Sequence, residues 1–244
     1  MEFSLKWAGE KERNLFTLDT PETQRQFFYR QYWEIIKEVV ENLPKDAKIL
    51  EIGCGRGTLC QYLKSAGYEN LTLLDESAEA LALARENMGY GAHLVKADAL
   101  ALPLEDETYD LVLSMGVSEH IDNFPKFFYE QLRVLKKGGY MICITVPKKR
   151  SIQMLNVFGR DRYYRSENTV AQYKAFLEKM TDYKVAELWT NPYPLFTPIP
   201  RWLDCGITAV YRAMHKARSY FMTHPFSGSR ALSQSHFLIT RRSS

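Results

Sequence analysis

Apolar positions along the chain follow two rhythms. Short apolar runs, each ending near a polar or small residue, fall at 47–52, 71–75, 92–98, 109–114 and 139–147, and each predicts a buried strand. Between them apolar side chains recur at helical spacing over 57–66, 77–88 and 123–136. Ala80, Leu81 and Ala84 form one such stripe, and Phe127, Phe128, Leu132 and Leu135 another. Ser77 is placed to cap the second helix, with Glu79 in its first turn, and Gly138-Gly139 to stop the third. Strands alternating with helices predict an α/β domain with a mainly parallel sheet covered on both faces.

The flanks extend this pattern. "ETQRQFFYRQYWEIIKEVVENLPKD" predicts a long amphipathic helix ending before Pro44, taken as a helical lid over about 22–43. Downstream come a helix opening at Ser166, a strand over 184–190, a long segment 191–234 and a last strand over 235–242. Within the long segment "PRWLDCGITAVYRAMHKARSYFM" predicts an added helix, approached through Pro192, Pro194, Pro198 and Pro200. The expectation is one domain over 1–244 with an inserted helical cap at about 191–234.

Composition narrows the setting. A chain of 244 residues with 25% charged side chains suits one sizeable core. The amino-terminal "MEFSLKWAGEKERN" lacks an apolar segment, and the longest mainly apolar stretch, Tyr140 to Val146, is too short to span a bilayer. Cys54, Cys60, Cys143 and Cys205 show no C-x-x-C spacing. A soluble, cytoplasmic protein is expected. Charge is uneven: residues 148–244 carry 16 Lys and Arg against 6 Asp and Glu, a balance of +10, leaving −7 for residues 1–147. The basic part suits an anionic substrate, an acidic membrane surface or nucleic acid, or else solvated helix faces.

The chemistry gathers at "ILEIGCGRGTLC", residues 49–60, where a strand runs into Gly53, Gly55 and Gly57 and then a helix. Such a turn presents backbone N–H groups to a ligand. It lacks the Lys of a nucleotide-hydrolysing loop, and Thr58 stands where a dinucleotide fingerprint has its third glycine. Glu51 would repel a pyrophosphate but suit a cofactor with a cationic amino-acid end. Asp75, at the end of the second strand, can accept both hydroxyls of a ribose, and Asp98 can accept from an adenine amine. Together these describe S-adenosyl-L-methionine.

"ILEIGCGRGTLCQYL", "LTLLDES", "LVKADALALPLEDETYDLVLSMGVSEHI" and "LRVLKKGGYMICITVP" resemble the successive motifs of class I S-adenosylmethionine-dependent methyltransferases, nearest the small-molecule, ubiquinone-type group. The resemblance implies a Rossmann-like, seven-stranded, mostly parallel sheet with helices on both faces and an antiparallel last strand. It implies that Glu51, Gly53, Cys54 and Gly55 shape the loop around the methionine end. It further implies that Asp75, with Glu76 beside it, holds the ribose, that Asp98 and Ala99 meet the adenine, and that Ser114 lies at the end of the fourth strand beside the cofactor. In ubiquinone-type enzymes an acid three residues before the glutamate of "SEHI" helps bind a divalent metal; Gly116 stands there, so no metal is expected.

Methyl transfer from a sulfonium needs alignment above all. Phe27, Phe28, Tyr29, Tyr32 and Trp33 could line a dry pocket, although most are expected to be core. His120 is the candidate base for a hydroxyl acceptor, beside a reading in which it only shapes the pocket. The "NPYP" of residues 191–194 is similar to a motif of amino-methyltransferases but lies far from the fourth strand, so nucleic acid is not the expected substrate. The aromatic segment 191–234 and the basic run Lys148–Arg165 suggest a partly apolar acceptor that could carry an anionic group, or contact with a lipid-linked substrate at the membrane periphery. The principal expectation is a small-molecule O-methyltransferase that releases S-adenosyl-L-homocysteine. Alternatives are N- or C-methylation, a non-catalytic cofactor-binding sensor or partner subunit, and a nicotinamide-dependent oxidoreductase.

Overall fold

The computed structural model describes residues 15–16, 18, 22–146, 166–191, 193, 195–196, 199–221, 230, 233 and 235–243. The amino-terminal stretch 1–14, the basic run Lys148–Arg165 and Pro192, Pro194 and Pro198 lie outside them.

Described residues form seven strands, β1 (Ile49–Ile52), β2 (Leu71–Asp75), β3 (His93–Lys96), β4 (Tyr109–Met115), β5 (Leu135–Thr145), β6 (Ala186–Trp189) and β7 (His236–Arg241). Six α-helices accompany them: α1 (Gln24–Val40), α2 (Thr58–Ser65), α3 (Ala78–Met88), α4 (Phe124–Val134), α5 (Val170–Thr181) and α6 (Arg201–Phe221). The sheet order is β3-β2-β1-β4-β5-β7-β6, parallel from β3 to β5, with β7 antiparallel to both β5 and β6. This is the Rossmann-like, mostly parallel sheet with an antiparallel last strand that the sequence predicts. Because the topology reverses between β1 and β4, the carboxyl ends of these strands open a crevice there.

Strand alternation splits the core in two. Ile49, Leu71, Leu73, Leu111 and Leu113 face one layer, where Ile35, Ile36, Leu59, Leu63 and Ala84 cover them from α1, α2 and α3. Leu50, Ile52, Leu74, Val112 and Met141 face the other, under Phe127, Phe128 and Leu132 of α4 and Tyr173 and Leu177 of α5. Helix starts follow side-chain chemistry. Thr23 and Gln26 form a reciprocal capping box on α1, and Ser77 accepts the Ala80 N–H at the start of α3.

Two boundaries differ from the expectation. The helix expected from Ser166 begins at Val170, capped by Thr169. Ser166 and Asn168 are drawn off instead: the Ser166 N–H donates to Glu119 O at 2.7 Å, and Asn168 Nδ2 donates to the carbonyls of Ile121 and Asp122. Gly138-Gly139 does not stop a helix but bends a strand. β5 starts at Leu135, already paired with Tyr109, and its register slips before Leu111 meets Tyr140. Gly138, at φ 74°, supplies the left-handed turn of this bulge. At Gly139 a Cβ would stand 2.9 Å from Lys136 O and 3.0 Å from Asp110 O, backbone atoms that cannot swing away.

Gly139→Ala is therefore expected to lower the unfolding free energy by about 1–3 kcal/mol through overpacking. Urea unfolding checks this; an unchanged midpoint would contradict the tight bulge.

Candidate cofactor and active site

The site grows from the carboxyl end of β1. Pairing puts Glu51 between Leu73 and Leu113, on the sheet face covered by α2, where it is fully buried. Neither carboxylate oxygen closes a hydrogen bond, although the thiol and N–H of Cys60 lie near enough to favour the charge a little. Burial dominates and pushes the Glu51 carboxyl up to about 7, with the Asp75 charge adding to the shift. A buried acid with so perturbed a carboxyl marks a candidate functional site.

After Ile52 the chain turns through Gly53, Gly55 and Gly57, all at positive φ (65°, 53° and 72°). Gly53 is also tightly approached: a Cβ there would stand 2.2 Å from Val117 Cγ2. That contact seats the turn following β4 on the glycine loop. Cys54 N donates to Leu74 O, and the Cys54 thiol is buried, its pKa driven well up by burial and by Glu51 and Asp75. A thiol so placed stays protonated and packs as a small hydrophobe.

Asp75 caps β2 and is itself buried. One carboxylate oxygen accepts the Gly55 N–H at 2.9 Å and the other the Ser77 N–H at 2.9 Å. It thus ties the loop after β1 to the start of α3. Glu76 beside it is exposed. Asp98 is exposed beyond β3 and turns back to accept the Leu100 N–H at 2.8 Å, and Ala99 packs on the second core layer. Ser114 is buried on β4 opposite Ile52, its Oγ beside the Cys143 thiol without ordinary hydrogen-bond geometry.

His120 ends a short turn, Ser118–His120, that follows β4. Glu119 beside it is buried; its carboxylate accepts from Thr145 Oγ1 at 3.4 Å and its carbonyl from Ser166. Tyr32 of α1 lies near enough to feel the Glu119 charge. Burial pushes the Tyr32 hydroxyl up to about 12, Ser235 bonding to it opposes the shift and Glu119 adds to it. Most of the other α1 aromatics go to packing. Phe27 and Phe28 join Tyr193 and Tyr211, and Trp33 stacks on Tyr62 with centroids 5.7 Å apart. Two surface grooves, of about 750 and 350 Å³, lie away from the glycine loop, one at the amino ends of β2 and β3 and one between α1 and α6.

Cys60 and Val117 escaped the sequence reading, as did the contacts that Glu119 makes. Cys60 faces Glu51 because helical phase turns it inward one turn into α2; counting from Gly57 would have found it. Val117 closes on Gly53 and Glu119 anchors the turn after β4, contacts between distant segments that sequence spacing does not carry.

The donor set fits S-adenosyl-L-methionine: a buried carboxyl for an ammonium, a left-handed backbone loop for close approach, and an acid at the end of β2 beside that loop. Comparison with known proteins agrees. Residues 50–143 match a family described as a methyltransferase domain. The chain is 31% identical over 153 residues to a phthiotriol/phenolphthiotriol dimycocerosates methyltransferase of Mycobacterium ulcerans, covering 61% of this chain and 55% of that protein. It is 28% identical over 152 residues to a ubiquinone biosynthesis O-methyltransferase of Rickettsia bellii, covering 58% and 60%. The chain therefore spans little more than half the length of these relatives. In fold it is similar to a S-adenosylmethionine-dependent methyltransferase of Archaeoglobus fulgidus, with a TM-score of 0.61 at 16% identity over 98% of both chains. Residues 50–143 thus match a methyltransferase domain, and the sheet order and glycine loop place that match within a Rossmann-like, seven-stranded fold.

Proposed function

We propose that this chain methylates an oxygen of a small, partly apolar, anionic acceptor. The observation that carries the reading is the Glu51 carboxyl, buried with no bonded partner at the foot of the glycine loop. When bound, S-adenosyl-L-methionine supplies a methyl group on a cationic sulfur and leaves as S-adenosyl-L-homocysteine.

The chain's own residues do the positioning. Glu51 takes the cationic amino-acid end, with Gly53, Cys54 and Gly55 offering close backbone approach. Asp75 keeps the loop closed through the Gly55 and Ser77 N–H groups and, at the end of β2, accepts from the ribose hydroxyls. Glu76, exposed beside it, guards the rim, while Asp98 and Ala99 edge the adenine side and Ser114 backs the site. Holding reacting atoms in line supplies most of the acceleration such a displacement needs. On the acceptor side the turn bearing Glu119 and His120 is pressed onto the loop through Val117. His120 orients the acceptor there, and α1 with α6 forms lid and cap. Support for an oxygen acceptor comes from the names of curated relatives, among them a malonyl-[acyl-carrier protein] O-methyltransferase of Enterobacter lignolyticus, 36% identical over 100 residues, 41% of this chain and 39% of that protein.

The direct test is transfer of labelled methyl from S-adenosyl-L-methionine to a panel of quinols, aromatic acids and acyl carboxylates, with product identified by mass. Methylated oxygen in any member supports the reading; cofactor binding without transfer to any acceptor, N- or C-acceptors included, would mark a binding-only protein. Asp75→Ala should weaken S-adenosyl-L-homocysteine binding by about 10- to 100-fold, since it removes a charged hydrogen-bond acceptor and frees the loop. Calorimetric affinity unchanged in that variant would contradict the ribose assignment. For His120→Gln a rise of about tenfold in acceptor KM at nearly constant kcat is expected. A fall of about 100-fold or more in kcat with a changed pH profile would instead make His120 the general base.

A further inference from the structure

Helix α6 sets a wide apolar face toward solvent. Only Thr208 and Tyr211 on it are buried, and Tyr211 joins Phe27, Phe28 and Tyr193 against α1. On the outward side Trp202 is 75% exposed, Val210 57%, Met214 55% and Tyr220 86%, with Leu203 beside them. Their spacing is helical, so they form one stripe along the 21-residue helix, with an aromatic ring near each end. Contiguous exposed apolar surface of this kind marks an interaction face.

Charge says which kind of partner fits. Arg201, Arg212, Lys216 and Arg218 stand on α6 against a single acid, Asp204, which is occupied by the backbone and side chain of Gln24. Along one edge the seam with α1 opens a groove of about 350 Å³ lined by Phe27, Arg30, Arg212, His215 and Lys216. Glu22 is buried between Arg30 and Arg212, and Glu34 meets His215 at 3.2 Å; the groove stays cationic after both are counted. An apolar stripe with amphipathic rings at its ends, bordered by cations and almost without acids, matches the headgroup and upper acyl layer of an anionic bilayer. The stripe and the α6 wall of the groove belong to residues 148–244, the part of the chain with a balance of +10.

We propose that α6 lies in the plane of an anionic membrane surface, its apolar stripe in the acyl boundary and lipid phosphates at the cationic seam with α1. The contact does not depend on which acceptor is methylated. It would let α6, packed directly on the α1 lid, meet an apolar acceptor without passing it through water.

The test is flotation of the purified full chain with extruded phosphatidylcholine vesicles, with and without phosphatidylglycerol. The chain should float with the anionic vesicles and stay behind with pure phosphatidylcholine, and added salt should weaken binding. Val210→Glu with Met214→Glu should cut anionic-vesicle affinity by about tenfold or more. Arg201→Glu with Lys216→Glu should do likewise. Both pairs are exposed, and unchanged thermal unfolding of the variants establishes that they are folded. Failure to float with anionic vesicles, equal flotation with both lipids, or wild-type binding by the double-glutamate variant would overturn the proposal. So would light scattering that finds a dimer split by Val210→Glu with Met214→Glu, since the face would then join two copies of the chain.

Discussion

An ionisable group in the middle of a sheet constrains everything built around it. Glu51 sits on an interior strand with neighbours on both sides, under α2, and neither of its oxygens closes a hydrogen bond of ordinary geometry. Desolvating an unpaired carboxylate costs several kcal/mol even after relaxation, so the group holds its proton up to about pH 7 instead. A Gln, or an apolar residue of the same volume, would serve the core better. Retaining an acid there makes sense where a cation arrives to pair with it.

The neighbouring contacts serve the same end. Asp75 accepts from the backbone with both oxygens, joining two loops from different strands, so the cradle is shaped before any ligand enters. Val117 fills the space that a Gly53 side chain would need and thereby locks the turn of Glu119 and His120 to the cofactor loop. Helices α1 and α6 are joined by aromatic packing and by the Gln24–Asp204 bonds. The glycine loop, the start of α3 and the turn after β4 are thus linked through backbone and core contacts.

Much of this was legible in the sequence. Strand and helix rhythm gave the parallel sheet, because buried strands and amphipathic helices differ in apolar period; Ser77 caps α3 as its chemistry requires. The Gly138-Gly139 pair shows where local reading ends. Glycine both stops helices and bends strands, and only the pairing of Leu135 with Tyr109 decides between them. Likewise the Ser166 segment has the propensity for a helix but is claimed by Glu119, Ile121 and Asp122 from the turn after β4. At the site, Glu51 and Asp75 were readable as acids at strand ends. That Asp75 also closes the loop, and that Cys60 faces Glu51, depend on distant segments meeting. The exposed stripe of α6 was readable as an amphipathic helix, but not which side the core would take.

The central claim is that Glu51 exchanges its proton for the cationic end of the cofactor. Calorimetry of S-adenosyl-L-homocysteine binding in buffers of different ionisation enthalpy measures this directly. The account predicts release of close to one proton per ligand at pH about 6, falling toward none above pH about 8, and no such release in Glu51→Gln. Binding at pH about 6 that releases no proton, or a release unchanged in Glu51→Gln, would contradict it.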